Sequence, residues 1–246
     1  MKKLFANIGL VSVLASCSKS SEEGLEITSP TPVTLYSSDT SQITTNKESV
    51  TFTSNSDYVA TVSQTGLITG KRVGNTTIDV SDGKGHASVA VTVNPKNTSF
   101  VEPVLDFGIS SADVIKKEGQ SPLTEVSNGL LFDSKGKETY RMYGFENDKL
   151  KSSCLIVKTT LAETITDFLI ERYAVVDANS GFGFGDGSYI ALFVNSLDFD
   201  KVTMGVGISA YNYSTLMVLY FKTSTTKAER ESMTKEYIEM YKQMIQ

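Results

Sequence analysis

Apolar and polar residues alternate in short runs over residues 24–95, and turn residues separate the runs. They fall at residues 25–27, 33–35, 50–52, 58–62, 67–68, 77–80 and 89–93. Alternation with a period of two sends one row of side chains into a core and the other into water, so each run predicts a half-buried strand. Thr and Val dominate these runs, which suits a pleated surface. Turns are marked by Gln64-Thr65-Gly66, Val73-Gly74-Asn75 and Asp82-Gly83-Lys84-Gly85. Seven short strands at this spacing predict a β-sandwich.

After the polar, proline-containing stretch Asn94-Pro95-Lys96-Asn97-Thr98, which reads as a hinge, the period changes. Ser110 is placed to cap a helix over 111–118, with Gly119 as its terminator. Thr160 and Glu163 form a capping box for a helix running to about Tyr173, with Leu161, Ile165, Phe168 and Leu169 on one face. Thr226 and Glu229 repeat the device for a terminal helix. Its stripe of Met233, Tyr237, Met240, Tyr241 and Met244 is expected to dock on its own sheet rather than to take a partner. Strands are expected at 129–132, 139–145 and 150–157, then at 174–176, 189–194, 202–208 and 215–221. Residues 100–246 therefore predict an α+β domain whose antiparallel sheet is built from a duplicated α-βββ unit, with helices on one face.

The amino-terminal residues carry a different pattern. Lys2 and Lys3 precede an apolar stretch over 4–14, too short for a spanning helix and of the length of an export signal. Leu14-Ala15-Ser16-Cys17 then resembles the lipobox of bacterial lipoproteins. The resemblance implies a signal peptide over 1–16, a lipidated tether over 17–23 and acyl chains on Cys17 that hold the protein to a membrane. Two or more such chains give stable anchoring, whereas one gives only marginal binding. The polar, acidic tether that ends in Glu22-Glu23 resembles the surface-export signal of Bacteroidota lipoproteins. That likeness implies an outer-membrane, surface-exposed location, although a plain solvated linker has the same composition.

Residues 54–93 resemble the bacterial Ig-like group 2 family. The residues that carry this are Val59-Ala60-Thr61-Val62, the turn glycine Gly66, the apolar pair Leu67-Ile68, the stretch from Gly74 to Ile78, and Val91-Thr92-Val93. The family implies an Ig-like sandwich over 24–95, used as a spacer in many cell-envelope proteins. In the second half, the entry from Glu102 to Gly108 and the hairpin from Tyr143 to Leu150 look like uncharacterised Bacteroides lipoprotein domains, and no activity comes with that likeness. The helix-and-strand order also looks like tandem α+β modules of envelope lipoproteins and secreted enzyme inhibitors.

Composition narrows the chemistry. Among 246 residues, 40% are apolar and 21% charged, as in a folded body. The net charge of −5 becomes about −7 once Lys2 and Lys3 are removed with the signal. Such an acidic chain, without a dense basic run, is a poor match for a nucleic-acid backbone. His86 is the single histidine and lies in the last hairpin of the expected sandwich, so a Ser-His-Asp or Cys-His arrangement lacks its base. Cys154, in a strand, reads as a small buried hydrophobe.

Carboxylates that could form a glycosidase pair are Glu163, Asp167, Glu171, Asp177, Asp186, Asp198 and Asp200. The first three recur every four residues and read as the solvated face of a helix. No cofactor motif is present: the glycine-rich stretch 181–187 leads into a strand rather than a helix and has no basic residue. Its Phe182 and Phe184, together with Tyr211 and Tyr213 in the last hairpin, are the candidate ligand contacts, since exposed aromatics stack on sugars or anchor proteins. The expectation is a non-enzymatic envelope lipoprotein whose Ig-like spacer presents an α+β domain to a glycan or to an envelope or host protein. The alternative is a structural or inhibitor-like component acting through protein contact.

Overall fold

The computed structural model describes residues 23–176 and 191–224, together with Lys235, Ile238, Glu239, Lys242 and Gln243. Seven strands form a first unit: β1 (Val33–Tyr36), β2 (Thr40–Gln42), β3 (Thr51–Ser54), β4 (Ala60–Val62), β5 (Leu67–Gly70), β6 (Gly74–Ser81) and β7 (His86–Asn94). They make a four-stranded sheet in the order β1-β7-β6-β3 and a three-stranded sheet in the order β2-β5-β4. Strand β1 runs parallel to β7, and every other pairing in the unit is antiparallel. Val33, Leu35, Ile43, Ile68, Ile78, Val80, Val89, Val91 and Val93 are buried between the sheets. These are the inward positions of the period-two pattern. Strand β2 was not expected, because Thr40-Ser41-Gln42 carries no apolar alternation. The run at 25–27 contributes a single bridge, Ile27 to Thr45, instead of a strand.

The second unit is one eight-stranded antiparallel sheet with few helices. Helix α1 (Ser111–Glu118) is followed by β8 (Thr124–Val126), β9 (Gly129–Asp133), β10 (Tyr140–Glu146) and β11 (Lys149–Lys158). Helix α2 (Ala162–Ile170) is followed by β12 (Ala174–Val175), β13 (Ala191–Val194), β14 (Met204–Asn212) and β15 (Thr215–Lys222). The sheet order is β12-β13-β14-β15-β11-β10-β9-β8. Each helix thus leads into a four-stranded meander, where three strands were expected after the first helix and four after the second, and the final strands of the two meanders, β11 and β15, pair at the centre. Strand β8 accounts for the extra strand in the first half.

Local chemistry sets the helix ends. Ser110 is extended and its hydroxyl accepts from Asp113 N, while Gly119 adopts φ 66° and closes α1 as the pattern predicts. Helix α2 departs from expectation. Residues Thr159–Leu161 form a 3-10 turn, and Leu161 precedes α2 without any side-chain cap. A capping side chain needs an extended backbone, and Thr160 lies within the turn. Neighbouring Thr159 is instead tied to the β14–β15 hairpin, its hydroxyl donating to Tyr213 O at 2.9 Å and its N–H to Ser214 O at 3.0 Å.

Both helices pack on one face of the sheet. Ile165, Phe168 and Leu169 of α2 lie against Leu155, Val157, Val206, Val218 and Tyr220. Val114 of α1 lies against Leu130, Phe132 and Tyr143. Burying each large side chain stabilises the fold by about 1.5–3 kcal/mol. The opposite face is also apolar and buried: Leu131, Met142, Cys154, Ile156, Leu192, Met217, Leu219 and Phe221 form it, and Ile238 packs onto it. Continuous apolar runs in β11 and β15 reflect this two-sided burial. Gly205 stands opposite Phe221, whose ring occupies the space a side chain there would need. Lys235, Ile238, Glu239, Lys242 and Gln243 are helical. The expected stripe residues Met233, Tyr237, Met240, Tyr241 and Met244 lie outside the described residues. Among the described residues, no helix is long and apolar enough to cross a membrane.

Candidate functional site

The loop between β14 and β15 brings forward the two tyrosines singled out in the last hairpin, and it treats them differently. Tyr213 is wholly exposed, at 104% of its reference area. Tyr211, two residues earlier, packs against the Met142–Phe221 face and is half-buried, so it is part of the core margin rather than a free tip. The tip is braced by Asn212, whose Oδ1 accepts from Ser214 N at 2.8 Å and lies 2.9 Å from Ser214 Oγ. With the two Thr159 contacts, the backbone beneath Tyr213 is held while its ring stands in solvent. Phe182 and Phe184 lie outside the described residues, as do Cys17 and the acids Asp177 and Asp186.

Of the remaining carboxylates, Asp167 and Glu171 line one open pocket with Lys96 and Asn97. Glu163 and Asp167 are exposed on α2, and Asp198 is exposed and paired with Lys201 at 3.1 Å. Backbone and lysine contacts lower the Asp198 pKa, Lys201 foremost. Glu171 departs from the solvated-face expectation: its Oε2 accepts the Asn97 N–H at 2.9 Å. Among the described residues, no group of three or more His, Cys, Asp or Glu side chains is placed to hold a metal ion. His86 is exposed opposite Ser81 at the start of β7. Cys154 is buried, and burial pushes its thiol well above the ordinary range.

The charged groups that are buried form a cluster between α1 and the sheet, which sequence reasoning missed. Arg141 donates from Nε to Glu118 Oε1 at 3.1 Å and from Nη1 to Glu138 Oε1 at 3.2 Å. Its remaining donors meet Val101 O at 3.0 Å and Glu102 O at 2.8 Å. Glu118 also accepts from Tyr143 OH and pairs with Lys135 at 2.7 Å. Burial would raise the Glu118 pKa, but Lys135, Tyr143 and Arg141 outweigh it and hold the carboxyl below the ordinary range. Tyr143 OH in turn accepts from Val104 N at 3.1 Å, and Ser153 donates to Val104 O at 2.6 Å. Tyr173 donates to Glu102. The entry segment over 101–104 is thereby strapped across the helical face. Glu118, Glu138 and Arg141 are buried while Lys135 reaches the surface, and their bonds run mainly to one another and to the 101–104 backbone, so the cluster serves the fold rather than a substrate.

A second polar centre lies where the two units meet. Tyr58 leaves the sandwich just before β4 and donates its hydroxyl toward Arg172 O at 2.6 Å, with Val194 O at 3.2 Å. Its ring packs with Ala174, Val194 and Val202, and the Arg72 guanidinium lies 4.8 Å above it. Burial pushes the Tyr58 hydroxyl up to about 12. Val73 N donates to Glu171 O at 2.8 Å. Asn97 Nδ2 donates to Thr164 O at 2.9 Å, and Arg172 Nη2 to Asn97 O at 3.3 Å. The stretch expected to act as a hinge is therefore fastened to α2.

Comparison with known proteins places the first unit. Residues 31–93 match the family model described as bacterial Ig-like domain (group 2), and that stretch is the β1–β7 sandwich. No curated protein matches the chain. Three solved structures of the surface layer protein SbsC show some similarity. Its domains 4–9 are 14% identical, with 81% of this chain and 27% of that chain covered and a TM-score of 0.25. Its domains 5–6 are 16% identical, with 83% and 86% covered and a TM-score of 0.26. Its domains 1–6 are 15% identical, with 80% and 21% covered and a TM-score of 0.26. The chain thus spans well under two thirds of the first of these. Likeness at this level establishes neither the arrangement of the units nor a role.

Proposed function

We propose that this chain is a non-enzymatic cell-envelope lipoprotein, anchored through lipid on Cys17, whose Ig-like unit is a spacer carrying the α+β unit outward for contact with a glycan or protein. The observation that supports this most is where the chain enters and leaves the sandwich. Leu25 lies beside Gly85, and Asn46 Nδ2 donates to Gly24 O at 2.9 Å, at the end where β7 begins. The chain leaves after Asn94, at the other end of the nine-residue strand. At about 3.3 Å per residue, β7 alone separates the two ends by about 30 Å. Gly24, close behind the proposed tether, and the start of the α+β unit then lie at opposite ends of the sandwich, as a spacer requires.

The family match supports an envelope setting without specifying a ligand. Tyr213 is the contact residue of this reading, because a fixed backbone presents its ring at low entropic cost. Glycan stacking is the first form of the proposal. Protein contact, as in a structural or inhibitor-like component, is the second, and the same exposed ring serves it. The order of one helix and four strands, twice over, is consistent with a duplicated unit.

The test is binding of the full chain to immobilised cell-surface polysaccharides and envelope proteins, with Tyr213→Ala beside it. Loss of at least tenfold in affinity for one of these classes on Tyr213→Ala supports the reading and selects the class. Equal binding by both chains removes Tyr213 from the site.

A further inference from the structure

We infer that the Ig-like unit is a structural part of the α+β unit, holding the chain just past helix α2 and the β12–β13 end of the sheet, so that the two open together rather than swinging about a linker. The last four carbonyls of a helix have no partner within it and need donors from elsewhere. At the end of α2, Arg172 Nη1 supplies one to Phe168 O at 2.9 Å. Glu171 N serves Asp167 O, and Arg172 N and Tyr173 N serve Leu169 O; the carbonyls that follow the helix, Glu171 O and Arg172 O, receive Val73 N and Tyr58 OH from the Ig-like unit.

The same tyrosine braces the sheet. Strand β12 has only two residues, Ala174 and Val175, and among the described residues it pairs with β13 alone. Its partner residue Val194 offers its carbonyl to Tyr58 OH and packs on the Tyr58 ring together with Ala174 and Val202. A two-residue edge strand gains little from its own ladder, so packing from outside is needed to hold it. Tyr58 provides that packing from 114 and 136 residues away in the chain.

The linker completes the joint. Asn97 N and Nδ2 are held by Glu171 Oε2 and Thr164 O, and Asn97 O receives Arg172 Nη2. A free hinge would leave those groups to water. Here they bind the face of α2 that the sequence pattern assigns to solvent. The joint therefore fixes the direction in which the α+β unit projects from the spacer, and it does so whether or not the chain carries lipid.

The experiment is hydrogen exchange of the full chain, read by mass spectrometry over peptides covering 164–176 and 191–195, and over β6–β7 and β9–β10 for reference. Tyr58→Ala is expected to speed exchange in 164–176 and 191–195 by roughly tenfold or more, with β9–β10 unchanged. Tyr58→Phe keeps the ring and removes only the hydroxyl, so it is expected to fold and to give a smaller increase in the same peptides. His86→Ala, an exposed residue at the end of β7 far from the joint, is expected to change neither. Wild-type rates at 164–176 and 191–195 in both Tyr58 variants would overturn the inference. So would an increase confined to the Ig-like strands.

Discussion

Arg141 and Glu118 meet at 3.1 Å beneath α1, with 2% and 0% of their side chains exposed. A buried pair of this kind contributes little net stability against an apolar replacement of both partners, because each charge has lost its water. Removing one partner is different, since the other charge stays buried without compensation.

Arg141→Met is therefore expected to destabilise the protein by about 3–5 kcal/mol, as it leaves the buried Glu138 without its cation and Glu118 with Lys135 alone. Urea denaturation followed by far-UV circular dichroism measures this. A loss below about 1 kcal/mol, the worth of an exposed pair, would mean that the cluster is open to water.

The same cluster sets an acid limit. The Glu118 carboxyl is held below its ordinary value near 4.5, against its own burial, by Lys135, Tyr143 and Arg141. A folded-state pKa below the unfolded one gives stabilisation that is complete above the unfolded value and lost as pH falls through the folded value. Stability is thus expected to show no contribution from Glu118 titration above about pH 5, and to decline below pH 4.5. Glu118→Gln is expected to be less stable at neutral pH and to show a shallower acid decline. Denaturation midpoints between pH 3 and pH 7 check this, and parallel curves for the two chains would count against it.

Cys154 lies wholly within the second face of the sheet, where burial raises its thiol and keeps it protonated. Reagents attack the thiolate, so both access and ionisation protect it. In a Cys17→Ala chain, Cys154 is expected to resist a soluble thiol reagent under native conditions and to react fully in denaturant. Rapid native labelling would show that the face is uncovered.

The parts of the fold that were legible in sequence are those made by near neighbours. Ser110 and Gly119 bound α1 through contacts within one turn of chain, and the alternating valines of β7 declare their inward face without help. Strands β2 and β8 were not legible: Thr40-Ser41-Gln42 and Thr124-Glu125-Val126 are too short to show a period and exist because a neighbour pairs with them. The Thr160 cap failed because Thr159 is claimed by a hairpin more than fifty residues later.

The hinge reading failed for a related reason. Asn97 looks like linker chemistry until Thr164 and Glu171, 67 and 74 residues away, are brought against it. Arg141 and Glu118 carry no mutual signal at a separation of 23 residues. At the candidate contact site, the sequence marked Tyr211 and Tyr213 alike. Only the register of β14, which turns Tyr211 onto the Met142–Phe221 face, separates the core residue from the exposed one.

We propose that lipid on Cys17 holds this chain at the cell surface with the α+β unit outermost. Protease treatment of intact cells expressing the wild-type chain or Cys17→Ala, followed by membrane fractionation, tests it directly. The wild-type chain is expected to be cleaved on intact cells and to sediment with the membrane, while Cys17→Ala leaves the membrane fraction. A wild-type chain that resists protease until the outer membrane is opened, or a Cys17→Ala chain that stays with the membrane, would contradict it.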